Sequence, residues 1–282
     1  MTILILGSNG ILSGTLKRYL IDKKIKFLTL SRDKKSKQNY FLKDFSNFNE
    51  LEKNINIIKP TYIINCIGIT KFNNSYNDKK KCNKINTSLP KFLSNLCLKN
   101  KIYFTHISTD CVFKGDKGNY RDKSYKDNKE HYGLSKNLGE VKNKYSATLR
   151  TSFIGPEINS SKQLLNWFLN QSDSVNGYTK AYFTGITSLE LSKIIYNLYI
   201  RKKKFYNKII NIGGTKISKY EVLKIISSVF KKKIIINKYN DFLIDRSLNV
   251  NYFLKTSKYK IKSWNSMLQD LKQFMISKKY KF

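Results

Sequence analysis

Thr2-Ile-Leu-Ile-Leu-Gly-Ser-Asn-Gly-Ile-Leu-Ser-Gly14 opens the chain. Residues 2–6 form a short, unbroken apolar run, the pattern of a strand buried on both faces of a parallel sheet. Glycines follow at positions 7, 10 and 14, and Leu12, Leu16, Tyr19 and Leu20 then recur at helical spacing. Strand, glycine turn and helix in this order suit a phosphate cradle. Glycine permits the tight turn and the close approach of backbone to a pyrophosphate, and the helix start offers unpaired N–H groups. Gly-x-x-Gly alone also fits a plain strand-to-helix turn. Its place at the head of an alternating chain favours dinucleotide binding.

The alternation continues outward. Ile25–Leu30 fits a second strand. Leu51, Ile55 and Ile58 keep helical spacing up to Pro60, and Tyr62–Ile67 is another buried run. Ile85–Leu98 predicts a helix, Ile102–Ile107 a strand, residues 132–143 a helix, and Ala147–Leu149 the start of a further strand. This rhythm predicts an α/β fold, a Rossmann-type doubly wound parallel sheet. Beyond residue 155 the rhythm loosens. Thr187-Ser-Leu-Glu190 and Ser218-Lys-Tyr-Glu221 are capping boxes ahead of apolar-periodic runs. Ile209–Ile212, closed by Gly213-Gly214, predicts one more strand. The expected division is a nucleotide-binding domain over 1–155 and a smaller mixed α/β substrate lobe over 156–282. A segment near 205–230 would return to the first domain.

Composition narrows the function classes. With 282 residues, 40% hydrophobic and 13% aromatic, the chain has material for a real core. No apolar run approaches the ~20 residues that span a bilayer, and the N-terminus lacks the basic region of a signal peptide. A cytoplasmic protein without membrane insertion is expected. The formal net charge of +35 invites a nucleic-acid reading. Only six of the 54 basic residues are arginine, however, and the lysines are spread along the whole chain. Base readers draw on bidentate arginine. A solvated basic surface is therefore expected, with a field that favours anionic ligands. Cys66, Cys82, Cys97 and Cys111 form no C-x-x-C pair, and there are two histidines, His106 and His131. No metal site is expected. His106, within a strand, is expected to be a core histidine.

Two further patterns carry chemistry. The second strand ends in Ser31-Arg32, where an acidic residue would grip a ribose 2′-OH. An arginine suits a 2′-phosphate instead, although Asp33 follows. NADP(H) is thus expected before NAD(H). Tyr132-Gly-Leu-Ser-Lys136 places a phenol and an ammonium on one helix face. A lysine charge should lower the phenol's pKa and suit it to proton transfer at a carbonyl carbon. Upstream, Ser108-Thr-Asp110 ends a strand, where a hydroxyl could hold the reacting oxygen.

Together the Gly-x-x-Gly cradle, Asn65-Cys-Ile-Gly68, Ser108-Thr-Asp110, Tyr132-x-x-x-Lys136 and Arg150-Thr-Ser152 resemble the extended short-chain dehydrogenases/reductases. The dTDP-4-dehydrorhamnose reductase branch is the most similar. The resemblance is clear to about residue 155 and fainter through Phe183-Thr-Gly185, Ile212-Gly-Gly214 and Asp245-Arg-Ser-Leu-Asn249. It implies cofactor contacts at Gly7, Asn9, Gly10, Ile11, Leu12, Ser31, Arg32, Asp44, Phe45, Cys66, Ile67, Gly68, Tyr132 and Lys136. It implies Thr109, Tyr132 and Lys136 as catalytic residues. Thr109, Asp110, Phe153, Lys180 and Arg246 would touch the substrate, with Arg246 or Lys180 facing a diphosphate. Ser13 departs from a usual glycine, and Phe153 stands where a tryptophan is common. The 4,6-dehydratases of the superfamily carry Thr-Asp-Glu; here Cys111 takes the third place, so the acid–base partner for dehydration is missing.

The implied activity is NAD(P)H-dependent reduction of the C4 keto group of a nucleotide-activated 6-deoxy sugar. It would serve cell-surface polysaccharide synthesis (O-antigen or capsule). The alternatives are a reductase or epimerase of a UDP-linked N-acetyl 4-keto sugar, and a non-catalytic nucleotide-binding regulatory subunit. The expected partner is a sugar nucleotide, and a homodimer is compatible with it.

Overall fold

The computed structural model describes residues 1–32, 39–158 and 160–280. The first half alternates as β1 (Ile3–Leu6), α1 (Ile11–Asp22), β2 (Phe27–Ser31), β3 (Asn39–Phe41), α2 (Phe48–Ile58) and β4 (Tyr62–Asn65). It continues with α3 (Lys79–Asn83), α4 (Leu89–Lys99), β5 (Tyr103–Ser108), α5 (His131–Leu138) and β6 (Ser146–Arg150). The second half holds β7 (Phe153–Ile154), α6 (Leu164–Leu169), β8 (Ser174–Tyr178), β9 (Ala181–Phe183), β10 (Ile186–Thr187) and α7 (Ser188–Ile194). Then come β11 (Lys208–Asn211), β12 (Ile217–Ser218), α8 (Lys219–Phe230), β13 (Ile235–Tyr239), β14 (Ile244–Asp245), α9 (Asn251–Ser257) and α10 (Trp264–Ser277).

Seven strands form one parallel sheet in the order β11-β6-β5-β4-β1-β2-β3. This is the Rossmann-type architecture that the alternation predicts. The order reverses between β1 and β4, so a crevice opens at their C-terminal ends, the place where such sheets bind ligands. The residues of β1 alternate between two cores. Ile3 and Ile5 join the layer that holds Leu16, Leu191 and Leu271; Leu4 and Leu6 join the layer with Leu51, Leu89 and Leu93. Burial on both faces is why the opening stretch reads as continuous apolar sequence. Each such side chain contributes about 1.5–3 kcal/mol relative to exposure. Three small sheets, β10-β7, β12-β9-β14 and β13-β8, are built from the chain beyond Arg150.

Local chemistry sets the helix limits. Ser218 Oγ accepts from Glu221 N at 3.1 Å, and Glu221 Oε2 accepts from Ser218 N at 2.8 Å, a complete capping box for α8. At α7 only half of the expected box forms. Thr187 Oγ1 accepts from Glu190 N, but the Glu190 carboxylate goes to Tyr259 Oη at 2.9 Å. Helix Ile85–Leu98 is also more complicated than its periodicity suggests. Residues 84–88 form a wide π turn, with Leu89 N donating to Lys84 O. Pro90 follows and has no N–H for the carbonyl of Asn86, which the wide turn accommodates.

The helix expected over 132–143 stops at Leu138. A Cβ on Gly139 would stand 1.9 Å from Asn86 O, so the chain passes that turn at backbone distance. Glu140 then peels away to accept from Arg150 Nε at 2.6 Å, Arg150 Nη2 at 2.8 Å and Ser108 Oγ at 2.9 Å. The Glu140 and Arg150 side chains are 1% and 2% exposed. Removing one partner leaves a buried charge without compensation, a loss of about 3–5 kcal/mol. Glu140→Gln is expected to lower unfolding stability by about that much in urea denaturation at neutral pH. A change within error of wild type would remove the pair from the fold's framework.

Candidate active site

A cleft of about 400 Å3 opens at the reversal of strand order. Its floor is Asn9, Gly10, Ile11 and Leu12, where β1 turns into α1. Gly7 makes that turn possible, with a φ of +88°. Ser13 has a task at this turn. Its Oγ accepts from Gly10 N at 3.1 Å and donates to Gly10 O, which ties down the first turn of α1. No acidic residue lies in that first turn, so no side-chain charge competes for its free N–H groups.

Cys66, Ile67 and Gly68 line one side, just after β4. Thr151, Ser152 and Phe153 line the other. Tyr132, Lys136, Thr109, Ser108 and Ile107 close the far end. Helix α5 brings Tyr132 and Lys136 to this end one turn apart, and β5 delivers Thr109 to the same place. Thr109 Oγ1 accepts from Cys111 N at 3.1 Å, donates to Asp110 Oδ1 at 3.1 Å and is hydrogen-bonded to the Tyr132 side chain. Lys136 is 4% exposed, and its Nζ donates to Ile107 O at 2.7 Å.

The electrostatics differ from the sequence expectation. Lys136 was expected to draw the Tyr132 pKa down. Burial instead pushes the Tyr132 phenol above its ordinary value, and the neighbouring Cys111 and Asp110 push the same way. Burial brings Lys136 down to about 8, while Glu140 and Cys82 act in the opposite direction. In this state the phenol keeps its proton at neutral pH, which suits a proton donor.

Other expected residues lie outside the cleft lining. Ser31 is buried and Arg32 exposed at the end of β2, and Asp33 lies outside the described residues. Asp44 accepts from Ser46 N and Oγ, and those bonds hold its carboxyl below the usual range. Phe45 is buried in the core beside it. Asp110 lies buried beneath Thr109. Lys180 is exposed in the turn between β8 and β9. Arg246 packs on the stretch that follows Thr109: its Nη1 is 3.5 Å from Cys111 Sγ, and its Nε donates to Phe113 O at 3.1 Å. Among the described residues no group of His, Cys, Asp and Glu could hold a metal ion, and no helix is long and apolar enough to cross a membrane.

Several residues escaped sequence reasoning. Thr70, Asn73, Glu157 and Gln163 also line the cleft, and no spacing rule marks them. Asn86 accepts from Ile69 N and donates to Ile69 O, both at 2.8 Å, and to Ser135 Oγ at 3.1 Å, so it ties the Cys66–Gly68 wall to α5. Lys219, the first residue of α8, rests 3.7 Å over the Phe183 ring. Burial lowers its pKa, and Asp110, Lys71 and Arg246 are charges that act on it. A lysine at a helix N-terminus opposes the macrodipole, which was a usable signal.

The model of the RmlD substrate-binding domain family matches residues 1–172, more than half of the chain. The chain belongs to this family. With membership comes the reaction class, NAD(P)-dependent oxidoreduction of sugar nucleotides. The dehydratase motif difference at Cys111 is consistent with that class. Among solved structures, a hypothetical dTDP-4-dehydrorhamnose reductase from Sulfolobus tokodaii is 26% identical, with a TM-score of 0.78 over 94% of this chain and 96% of that one. The dTDP-4-dehydrorhamnose reductase of Bacillus anthracis, solved with NADP, is 20% identical, with a TM-score of 0.80 over 98% and 99%. The Bordetella bronchiseptica enzyme WbmG, solved with NAD and UDP, is 14% identical, with a TM-score of 0.76 over 98% and 95%. No curated protein matches in a comparison of sequences.

Gly133 follows Tyr132 and faces the Thr109 turn. A Cβ there would stand 2.2 Å from Cys111 O and 2.6 Å from Asn128 Nδ2. Gly133→Ala must move α5 away from that turn. Its kcat is expected to fall by on the order of 10²-fold, the usual cost of displacing catalytic groups by an ångström. Steady-state kinetics beside a cofactor titration would check this; an unchanged kcat would show that the α5 contact does not position Tyr132.

Proposed function

We propose that this chain reduces the C4 keto group of a nucleotide-activated 6-deoxy sugar, with dTDP-4-dehydrorhamnose as the first candidate. The observation that carries the reading is the convergence of Tyr132, Lys136 and Thr109 at the end of the cleft whose floor is the β1–α1 glycine turn. The cleft suits a dinucleotide. The N–H groups at the start of α1, Asn9–Leu12 and the close-passing Gly7 and Gly10 would hold the pyrophosphate. Cys66, Ile67 and Gly68 would flank the nicotinamide, Lys136 its ribose, and Asp44 and Phe45 the adenine end. A bound dihydronicotinamide supplies the hydride.

The chain's own residues then act on the keto oxygen. Thr109 Oγ1 donates a hydrogen bond to it, giving up its bond to Asp110. Tyr132, kept protonated by burial, gives its proton to the same oxygen as charge develops. Lys136, in its charged form, stabilises the tyrosinate left behind. Phe153 walls the sugar side. Beyond Asp110, Arg246 and Lys219 are the cations available to the diphosphate. The three small sheets beyond Arg150 form the substrate lobe in this reading, with β11 returning to the central sheet.

The test is a panel of dTDP- and UDP-linked 4-keto sugars assayed for NADPH consumption, with product configuration checked by NMR. Tyr132→Phe is expected to keep cofactor affinity and lose most of the reduction. Full activity in that variant would remove Tyr132 from the mechanism, and cofactor binding without turnover of any sugar in the wild type would favour a regulatory subunit.

The cofactor preference is proposed as NADP(H), because Arg32 is exposed at the tip of β2 and, with Lys81, lowers the Asp44 pKa from nearby. Arg32→Ala is expected to raise the KM for NADPH and leave that for NADH unchanged. Equal effects on both would discard the 2′-phosphate role.

A further inference from the structure

Asn65 and His106 are adjacent partners on β4 and β5, both 0% exposed, and neither lines the cleft. Their hydrogen bonds have a direction. The backbone N–H of Ile67 donates to Asn65 at 3.0 Å, so the side-chain atom that faces it is the carbonyl oxygen. The amide NH2 of Asn65 therefore faces His106 Nδ1, at 3.2 Å. Turning the amide over would set NH2 against the Ile67 N–H in a buried place. A donor aimed at Nδ1 makes that nitrogen the acceptor. Burial and the nearby Lys136 hold the imidazole pKa well below its ordinary value, so the ring is neutral and its one proton sits on Nε2. That Nε2 lies 3.3 Å from Lys136 Nζ. An N–H aimed at a neutral amine is a hydrogen bond; aimed at an ammonium it is donor against donor.

We propose that Asn65 and His106 are positioning residues, a one-way chain from Ile67 N–H through Asn65 and His106 that favours the neutral amine of Lys136 and makes this lysine the group whose protonation switches the site. The proposal rests on the reading of Lys136 as the partner of Tyr132. Other groups that face Lys136 act the opposite way. Glu140, after α5, and Cys82, on α3, favour its charge. Ile107 O accepts an amine proton in either state. Tyr132, one turn away on α5, stays protonated through this range. Lys136 is thus charged below about 8 and neutral above it. Only the charged form stabilises a tyrosinate, so reduction should fall as pH rises through that value.

The chain has two histidines, which makes the test direct. Ring-15N histidine NMR on the whole protein, with His131→Gln to assign the second ring, reads the tautomer without any turnover. Expected is an Nε2–H tautomer for His106, with a shift that titrates near the Lys136 midpoint and is flat in Lys136→Met. Asn65→Asp should reverse the chain: Ile67 N–H and His106 Nδ1–H would both donate to the carboxylate, and Nε2 would accept from an ammonium. The tautomer should switch to Nδ1–H, and the alkaline limb of reduction should rise by about one pH unit or more. His106→Leu deletes the Nε2–H without adding charge and should move the limb upward too. An Nδ1–H tautomer in the wild type, a titration that survives in Lys136→Met, or a limb that stays or falls in His106→Leu would overturn the proposal. A wild type with no reductase activity but with the expected tautomer and titration would support the chain and remove the reductase reading.

Discussion

Glu140 and Arg150 meet through two bonds shorter than 3 Å where water does not reach, and the end of the cleft that holds Tyr132 and Lys136 is assembled around that meeting. Arg150 is the last residue of β6, and Ser108, at the end of β5, donates to the same carboxylate. Glu140 follows α5 by two residues, so the ion pair fixes where the helix that carries Tyr132 and Lys136 must end. Arg150 also donates to Asp122 O at 2.8 Å, which draws in the loop between β5 and α5. One buried charge pair thus sets the relation among two strands, a helix and a long loop. Desolvation makes such a pair costly to form and more costly to halve.

The same low-dielectric setting tunes the site. Burial raises the phenol of Tyr132 and lowers the amine of Lys136, so both groups are biased toward their neutral forms. A neutral phenol has a proton to give. A lysine close to its titration point responds to small changes in its surroundings, including the direction of a hydrogen bond from His106. Cys66 and Cys111 are pushed up to about 12 and about 11, mainly by burial, and stay thiols. The large positive charge of the chain acts from further away. It favours anions in general, while the cleft's own shape and donors select among them.

Much of the fold was legible in the sequence. The opening strand shows itself because it is buried on both faces, and its glycine turn because side chains rarely adopt the positive φ found at Gly7. The placing of Thr109 at a strand end and of Tyr132 and Lys136 on one helix face was legible, because a strand terminus and a four-residue helical spacing position side chains by local geometry alone. The limits of α5 were not legible. Nothing near Gly139 in the sequence announces the carbonyl of Asn86, which the fold brings against it.

The sequence by itself determined the alternation of strand and helix, the glycine turn after the first strand and the spacing of Tyr132 and Lys136 one helical turn apart, since each depends on neighbours within a few residues. Only the tertiary structure decided the protonation of that pair. Lys136 alone would be a charged base that acidifies a phenol. Packed against Ile107 and His106, it loses water, and water is what had stabilised its charge. The partners that replace that water come from strands and helices far apart in the chain, which no local pattern could bring together.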